Sequence, residues 1–186
     1  YSITYSTGAL TVNAKALTIA ASTQSTTYGT ALTLGTNNTG ATRYVVTGLV
    51  NSDAVTAVDL KYSGNATVAA TTAANTYANG IVASNATGTG LGNYTITYSQ
   101  GGLTINKAPL GISISGTYNG TSTYTSSNST ITLSGLLGQD ITNTAGGNGV
   151  TATVHSQNVG SGNYVSSLTS TNFNSSNYII IGSNST

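Results

Sequence analysis

Apolar and polar residues alternate along most of this chain. Tyr1-Ile3-Tyr5, Leu10-Val12, Leu17-Ile19, Val58-Leu60-Tyr62, Tyr94-Ile96-Tyr98, Leu103-Ile105, Ile112-Ile114, Ile131-Leu133 and Val150-Ala152-Val154 all carry apolar side chains two positions apart. That period predicts short strands with one face in a core and the other in water. Between them lie Ser6-Thr7-Gly8, Ser63-Gly64-Asn65, Asn79-Gly80 and Asn119-Gly120, which tolerate positive backbone angles and so predict tight turns. Helical periodicity is confined to two short stretches. These are Val50–Val55, where Asn51 or Ser52 would cap a single turn, and its equivalent Leu137–Ile141.

The chain also repeats itself. Tyr1, Ile3, Thr4, Tyr5, Ser6, Gly8, Leu10, Thr11, Asn13 and Leu17 recur as Tyr94, Ile96, Thr97, Tyr98, Ser99, Gly101, Leu103, Thr104, Asn106 and Leu110 at a constant offset. A period of that length exceeds a solenoid rung and suits one small domain, so it predicts modules strung in series. A second echo matches Gly48-Leu49-Val50-Asn51-Ser52-Asp53 with Gly135-Leu136-Leu137-Gly138-Gln139-Asp140, and Tyr28-Gly29-Thr30 with Tyr118-Asn119-Gly120-Thr121. Each repeat is thus expected to open with a strand, pass an aromatic-Gly turn and a Gly-Leu corner, and close on an Asn-Tyr strand. On this reading 1–15 are closing strands of an upstream repeat, 16–107 form a complete repeat, and 108–186 form another with its final strand incomplete. The expected architecture is all-β: small β-sandwich repeats, immunoglobulin-like or β-grasp-like, in an elongated array. About seven strands per repeat suit the former.

Charge changes the picture of the surface. Four basic and three acidic residues make up 4% of the chain, with a formal net charge of +1, far below the usual quarter or so. Disorder favours high net charge and few β-branched residues, whereas Val, Ile, Thr and Tyr are abundant here. Thr dominates the outward strand positions, where a β-branched hydroxyl suits an exposed pleat. Sheet edges with so few charges are open to pairing with other chains. The near-neutral chain offers no footprint for nucleic acid and no polybasic patch for anionic lipid. It has no Cys, so neither disulfide nor thiolate is available. No apolar run reaches the length of a membrane span.

Specific motifs sharpen this. Thr27-Tyr28-Gly29-Thr30, Val46-Thr47-Gly48-Leu49-Val50-Asn51-Ser52-Asp53, Gly92-Asn93-Tyr94-Thr95-Ile96 and Gly102-Leu103-Thr104-Ile105-Asn106-Lys107 together resemble an MBG-type repeat with the Tyr-Gly turn. Ile112 to Thr121 with Gly160 to Tyr164 resembles the related YDG repeat, with Asn119 where Asp is expected. Such repeats belong to large bacterial exported adhesins of the filamentous-haemagglutinin type. The resemblance implies a cell-surface or biofilm-matrix fibre, extracellular, with no catalytic residue to carry over.

Chemistry is sparse. Acid–base catalysis needs paired titratable groups, and the chain has one His and no Glu. His155, Ser156 and Asp140 make a triad only on paper, since triads are defined by geometry, and a surface His at a strand end is the plainer reading. No catalytic residue, cofactor or metal is expected. Asp53 and Asp140 sit at equivalent corners, but a calcium cage wants several carboxylates in one loop; acceptance of turn amide hydrogen bonds is the preferred role. Asp59 and Lys61 share a strand face as a solvated pair. Tyr5, Tyr62, Tyr98 and Tyr124 are candidates for a sugar-stacking ladder. Core packing by Tyr1, Tyr94 and Tyr178 is preferred, because Tyr supplies most of the bulk in a chain with no Trp and one Phe.

Asn37, Asn65, Asn85, Asn93, Asn119, Asn128, Asn174 and Asn184 head Asn-x-Ser/Thr triplets, glycosylation acceptors where a host modifies them. A sugar coat would compensate for the missing charge. The leading functional reading is a structural stalk or fibre segment. Its alternatives are a binding module using loops Gly35 to Gly40 or Gly146 to Gly149 against carbohydrate or a host surface, and a self-assembling filament subunit. In the last, the segment carrying Tyr1, Ile3, Tyr5, Leu10 and Val12 lends a strand to a neighbouring copy.

Overall fold

The computed structural model describes residues 1–36, 43–138, 140–141, 149–156 and 164–185. The fold is all-β. In chain order the strands are β1 (Lys15–Ala21), β2 (Gln24–Thr27), β3 (Leu32–Thr33), β4 (Tyr44–Thr47), β5 (Ala54–Lys61), β6 (Thr67–Val68), β7 (Asn75–Thr89), β8 (Tyr94–Ser99) and β9 (Gly101–Asn106), followed by β10 (Ala108–Gly116), β11 (Thr123–Thr125), β12 (Ser129–Ser134), β13 (Val150–Val154), β14 (Val165–Ser170) and β15 (Tyr178–Ser185). Short 3-10 turns at Leu91–Asn93 and Ser175–Asn177 lead into β8 and β15. The strands order as β4-β1-β8, β2-β9-β7-β5, β3-β6, β12-β10-β15 and β11-β13-β14. Two units result: the first comprises 1–24, 34–67 and 78–102, the second 25–33, 68–77 and 103–186.

In the first unit, β1 alternates as its sequence demands, with Leu17 and Ile19 fully buried and Thr18 exposed between them. It lies antiparallel to β4, from Thr18↔Thr47 to Ala21↔Tyr44, and parallel to β8, from Lys15↔Tyr94 to Ala20↔Ser99. Parallel neighbours require a long connection, and the whole stretch between β1 and β8 provides it. Strands β5 and β7 pair antiparallel around Leu60↔Ala83, burying Val58, Leu60, Ile81 and Ala83.

The second unit repeats this pairing. β10 lies antiparallel to β12, from Gly111↔Ser134 to Gly116↔Ser129, and parallel to β15, from Ala108↔Tyr178 onward. Leu110, Ile112 and Ile114 of β10, Ile131 of β12, Val150, Ala152 and Val154 of β13 and Val165 of β14 form one buried cluster with Phe173 and Tyr178. Two small sheets therefore sandwich a single apolar layer.

The Gly-Leu corner is fixed by sterics. Gly48 (φ +114°) presses on the β1 backbone, where a Cβ would sit 2.6 Å from the Ala16 carbonyl oxygen; Gly135 (φ +90°) meets the Pro109 oxygen of β10 at 2.7 Å in the same way. That shared need for glycine explains the echo between the two segments.

Two expectations fail. The strands predicted at Tyr1-Ile3-Tyr5 and Leu10-Val12 do not form: residues 1–14 carry no strand, and Tyr1, Ile3, Tyr5, Leu10 and Val12 are all strongly exposed. Their copies pair because β8 finds an edge of β1, but both edges of β1 are already taken by β4 and β8. The capped helical turn at Val50–Val55 is instead a tight turn closed by Asp53 N–H to the Val50 carbonyl at 3.3 Å. Asn51 has φ +58°, a left-handed conformation that helix geometry excludes. At the equivalent corner the expectation fares better: Asp140 N–H reaches the Leu137 carbonyl at 3.2 Å, Gly138 has φ +55°, and Asp140 and Ile141 are helical.

Replacing Gly48 or Gly135 with Ala is expected to destabilise its unit by at least about 1–2 kcal/mol, the cost of forcing an L side chain to positive φ. Gly92→Ala, with open space at its Cβ, is the neutral control; equal urea midpoints for all three would refute the steric role.

Candidate functional site

The corner exists to meet the closing strand. In the first unit the Tyr94 hydroxyl donates to Asp53 Oδ2 at 2.7 Å and accepts from the Val50 N–H at 3.0 Å. In the second, the Tyr178 hydroxyl donates to Asp140 Oδ2 at 2.6 Å and accepts from the Leu137 N–H at 3.1 Å. Each Tyr is the first residue of its closing strand, held opposite the first residue of the opening strand by the register Lys15↔Tyr94 or Ala108↔Tyr178. Both rings are buried, at 8% and 5% exposure. Short hydrogen bonds to a carboxylate are among the stronger kinds, so each corner is clamped to its sheet.

The two corner aspartates thus accept from tyrosine hydroxyls. The amide of each Asp closes its own turn, and the carboxylate reaches across to the closing strand. Among the described residues no group of three His, Asp or Glu side chains comes together as a metal set. Burial raises the pKa of Tyr178, and its hydrogen bond to Asp140 raises it further. Tyr94 is raised by desolvation and by its Asp53 bond, and Tyr28 by burial and by the Asp140 charge.

The second clamp carries an extra part that the sequence reading missed. Tyr28, from the Tyr-Gly turn, also donates to Asp140 Oδ2, at 3.2 Å. Its ring stands edge-on to Tyr178 with centroids 5.4 Å apart, and its backbone N–H bonds the Asn106 carbonyl at 2.9 Å. Asn177 is 5% exposed and accepts from the Ala74 N–H at 2.9 Å. At Gly29 (φ +89°) a Cβ would collide with Cδ1 of Leu137, so the turn lies flat on that side chain. The signal was the paired dipeptides Asn93-Tyr94 and Asn177-Tyr178.

The first clamp has the same Asp–Tyr pair beside a cavity. A cavity of about 380 Å³ is lined by Asn13, Val50, Asn51, Asp53, Asn93 and Tyr94, among others. Asn93, the counterpart of buried Asn177, is exposed, and Val50, the counterpart of half-buried Leu137, is 42% exposed.

The remaining predicted residues disperse. Asn65, Asn85, Asn93, Asn119, Asn128 and Asn174 are exposed; Asn37 lies outside the described residues, and Asn184 falls in β15 with its side chain outside them. Several serve turns: Asn119 Oδ1 accepts from the Thr121 N–H at 2.9 Å, Asn128 Oδ1 from the Thr125 N–H at 2.8 Å, and Asn174 Oδ1 caps at the Ser176 N–H at 3.0 Å. His155 stacks flat on Tyr164 at 4.3 Å and its Nδ1 accepts from the Tyr164 N–H at 3.3 Å, while Asp140 faces Tyr28 and Tyr178. Asp59 accepts from Asn85 Nδ2 at 3.1 Å. Tyr94 and Tyr178 fill core positions as expected, whereas Tyr1 is fully exposed. The proposed binding loops lie largely outside the described residues. A second cavity of about 490 Å³ borders Tyr164, Val165, Leu168 and Ile180.

The Tyr-Gly turn, the Gly-Leu corner with its Asp and the Asn-Tyr closing strand all fall within or beside one stretch. Residues 17–104 match the MBG domain (YGX type). The MBG match takes in the first clamp and the Tyr28-Gly29 turn. The chain has no match among the curated proteins and none among the solved structures. No described helix is long and apolar enough to cross a membrane.

Raised folded-state tyrosine pKa values mean that the unfolded chain loses phenolic protons first, so stability holds below the ordinary value of 10.0 and falls as pH rises beyond it. Urea titrations from pH 8 upward are expected to show that decline, and Tyr178→Phe is expected to flatten it. A slope unchanged by the substitution would contradict the clamp.

Proposed function

We propose that this chain is a non-catalytic structural segment of a bacterial cell-surface or biofilm-matrix adhesin, a stalk piece supplying reach and mechanical continuity outside the cell. The MBG match over 17–104 and the YDG-like motifs after residue 108 support that reading. The observation that carries it is the parallel pairing of opening and closing strands in both units. Tension applied at the start of β10 and the end of β15 drags the two strands past each other along their length. The hydrogen bonds of the pair then share the load and must break together. Peeling from one end breaks them singly.

The chain has no Cys, so engineered thiols are unique handles for single-molecule pulling. Handles at Pro109→Cys and Ser185→Cys are expected to need clearly higher unfolding force than handles at Pro109→Cys and Ile179→Cys, which face each other in the register. Equal forces would sink the load-bearing role.

A second reading, strand lending between copies, is favoured by the exposed apolar side chains of Tyr1, Ile3, Tyr5, Leu10 and Val12 in a segment without strand partners. Carbohydrate or a host surface is the further partner class. The exposed Asn-x-Ser/Thr triplets are proposed glycan acceptors on an otherwise charge-poor surface. Chain purified from its source is expected to weigh more than its bare 18.5 kDa, and an intact mass equal to that figure would end the glycan proposal.

A further inference from the structure

We propose that the first-unit cavity at Asp53 and Tyr94 is a docking socket for the Tyr118-Asn119-Gly120 turn of a second copy of this chain. This builds on the structural-module reading and names its partner.

The second unit shows what such a socket holds. There the clamp of Asp140 and Tyr178 receives Tyr28, whose hydroxyl reaches the carboxylate, whose ring meets Tyr178 edge-on, and whose amide bonds the Asn106 carbonyl. Every receiving group has a counterpart around the first cavity: Asp53 for Asp140, Tyr94 for Tyr178, Asn93 for Asn177, Asn13 for Asn106 and Val50 for Leu137. Among the described residues lining this cavity there is no tyrosine besides Tyr94, and Asn93 and Val50 are exposed there.

The matching plug is on the same chain. Tyr118 is 55% exposed, and the turn after it is preformed by Asn119 Oδ1, which accepts from both the amide and the hydroxyl of Thr121 at 2.9 Å. A preordered loop loses little freedom on binding. The side chains also compensate. Gly29 combines a positive φ of +89° with a Leu137 Cδ1 where a Cβ would sit; in the plug turn the positive φ falls one residue later, on Gly120 at +75°, and Val50 has no δ carbon, which leaves room for the Cβ that Asn119 brings beside Tyr118. Plug and socket are different surfaces, so the contact is heterologous: each copy can offer one and receive the other, and copies add in a chain.

The test is sedimentation of the full chain over a concentration series. Wild type is expected to gain mass with concentration. Tyr118→Ala, which removes the plug, and Val50→Arg, which blocks the socket while keeping the backbone bond to Tyr94, are expected each to stay at 18.5 kDa, with association weakened by about 30-fold or more, as for loss of a hot-spot residue. An equimolar mixture of the two variants keeps one intact plug and one intact socket, and is expected to form a dimer and nothing larger. Circular dichroism matching wild type verifies that both variants fold. A monomeric wild type overturns the socket, and so does polymerisation that survives both substitutions, which is the outcome strand lending gives. Neither result alters the difference in pulling force, so failure of the socket is distinguishable from failure of the load-bearing reading.

Discussion

A tyrosine hydroxyl bonded to a half-buried carboxylate ties each unit together at the place where the closing strand arrives. The chain has no disulfide and few charges, so cross-links and ion-pair networks are not available to fix that strand. The clamp supplies a directional substitute. Two of the three acidic residues in the chain, Asp53 and Asp140, are placed in it. Because the same hydroxyl also accepts a corner amide, one side chain ties together the turn, the carboxylate and the sheet.

The rest of the architecture follows from where that tie lands. Seating Tyr94 and Tyr178 opposite the first residue of β1 and β10 sets the parallel register of the opening and closing strands. The corner must then approach the opening strand closely, which only glycine at positions 48 and 135 permits. A module so built begins and ends on adjacent parallel strands, the arrangement that loads a whole ladder at once under tension. The second clamp goes further by receiving Tyr28, which adds an aromatic contact and a second phenol on one carboxylate. A single chemical device thus latches the closing strand in both units, and in the second it also takes in Tyr28.

The neutral, hydroxyl-rich exterior fits a protein whose associations are made by shape and hydrogen bonding. Exposed apolar side chains such as Val45, Tyr118 and Ile179 stand on a surface with little charge to repel a neighbour. Asn residues at turns do double duty: Asn119, Asn128 and Asn174 shape their own loops with the side-chain oxygen while remaining exposed.

The alternation at Leu17-Ile19, Val58-Leu60 and Ile112-Ile114 was enough to determine strands and their buried faces, because a period of two leaves no other way to hide apolar side chains on one side. The echo at Gly48 and Gly135, and at Asn93-Tyr94 and Asn177-Tyr178, likewise marked the corner and the closing strand. Sequence could not tell that the Asp of one feature bonds the Tyr of the other, since 41 and 38 residues separate the partners and only the sheet register brings them into reach. Nor could it foresee that Tyr1 to Val12, though nearly identical to Tyr94 to Ile105, would stay unpaired. Strand propensity is local, but a strand forms only where it finds an edge, and both edges of β1 are taken by β4 and β8.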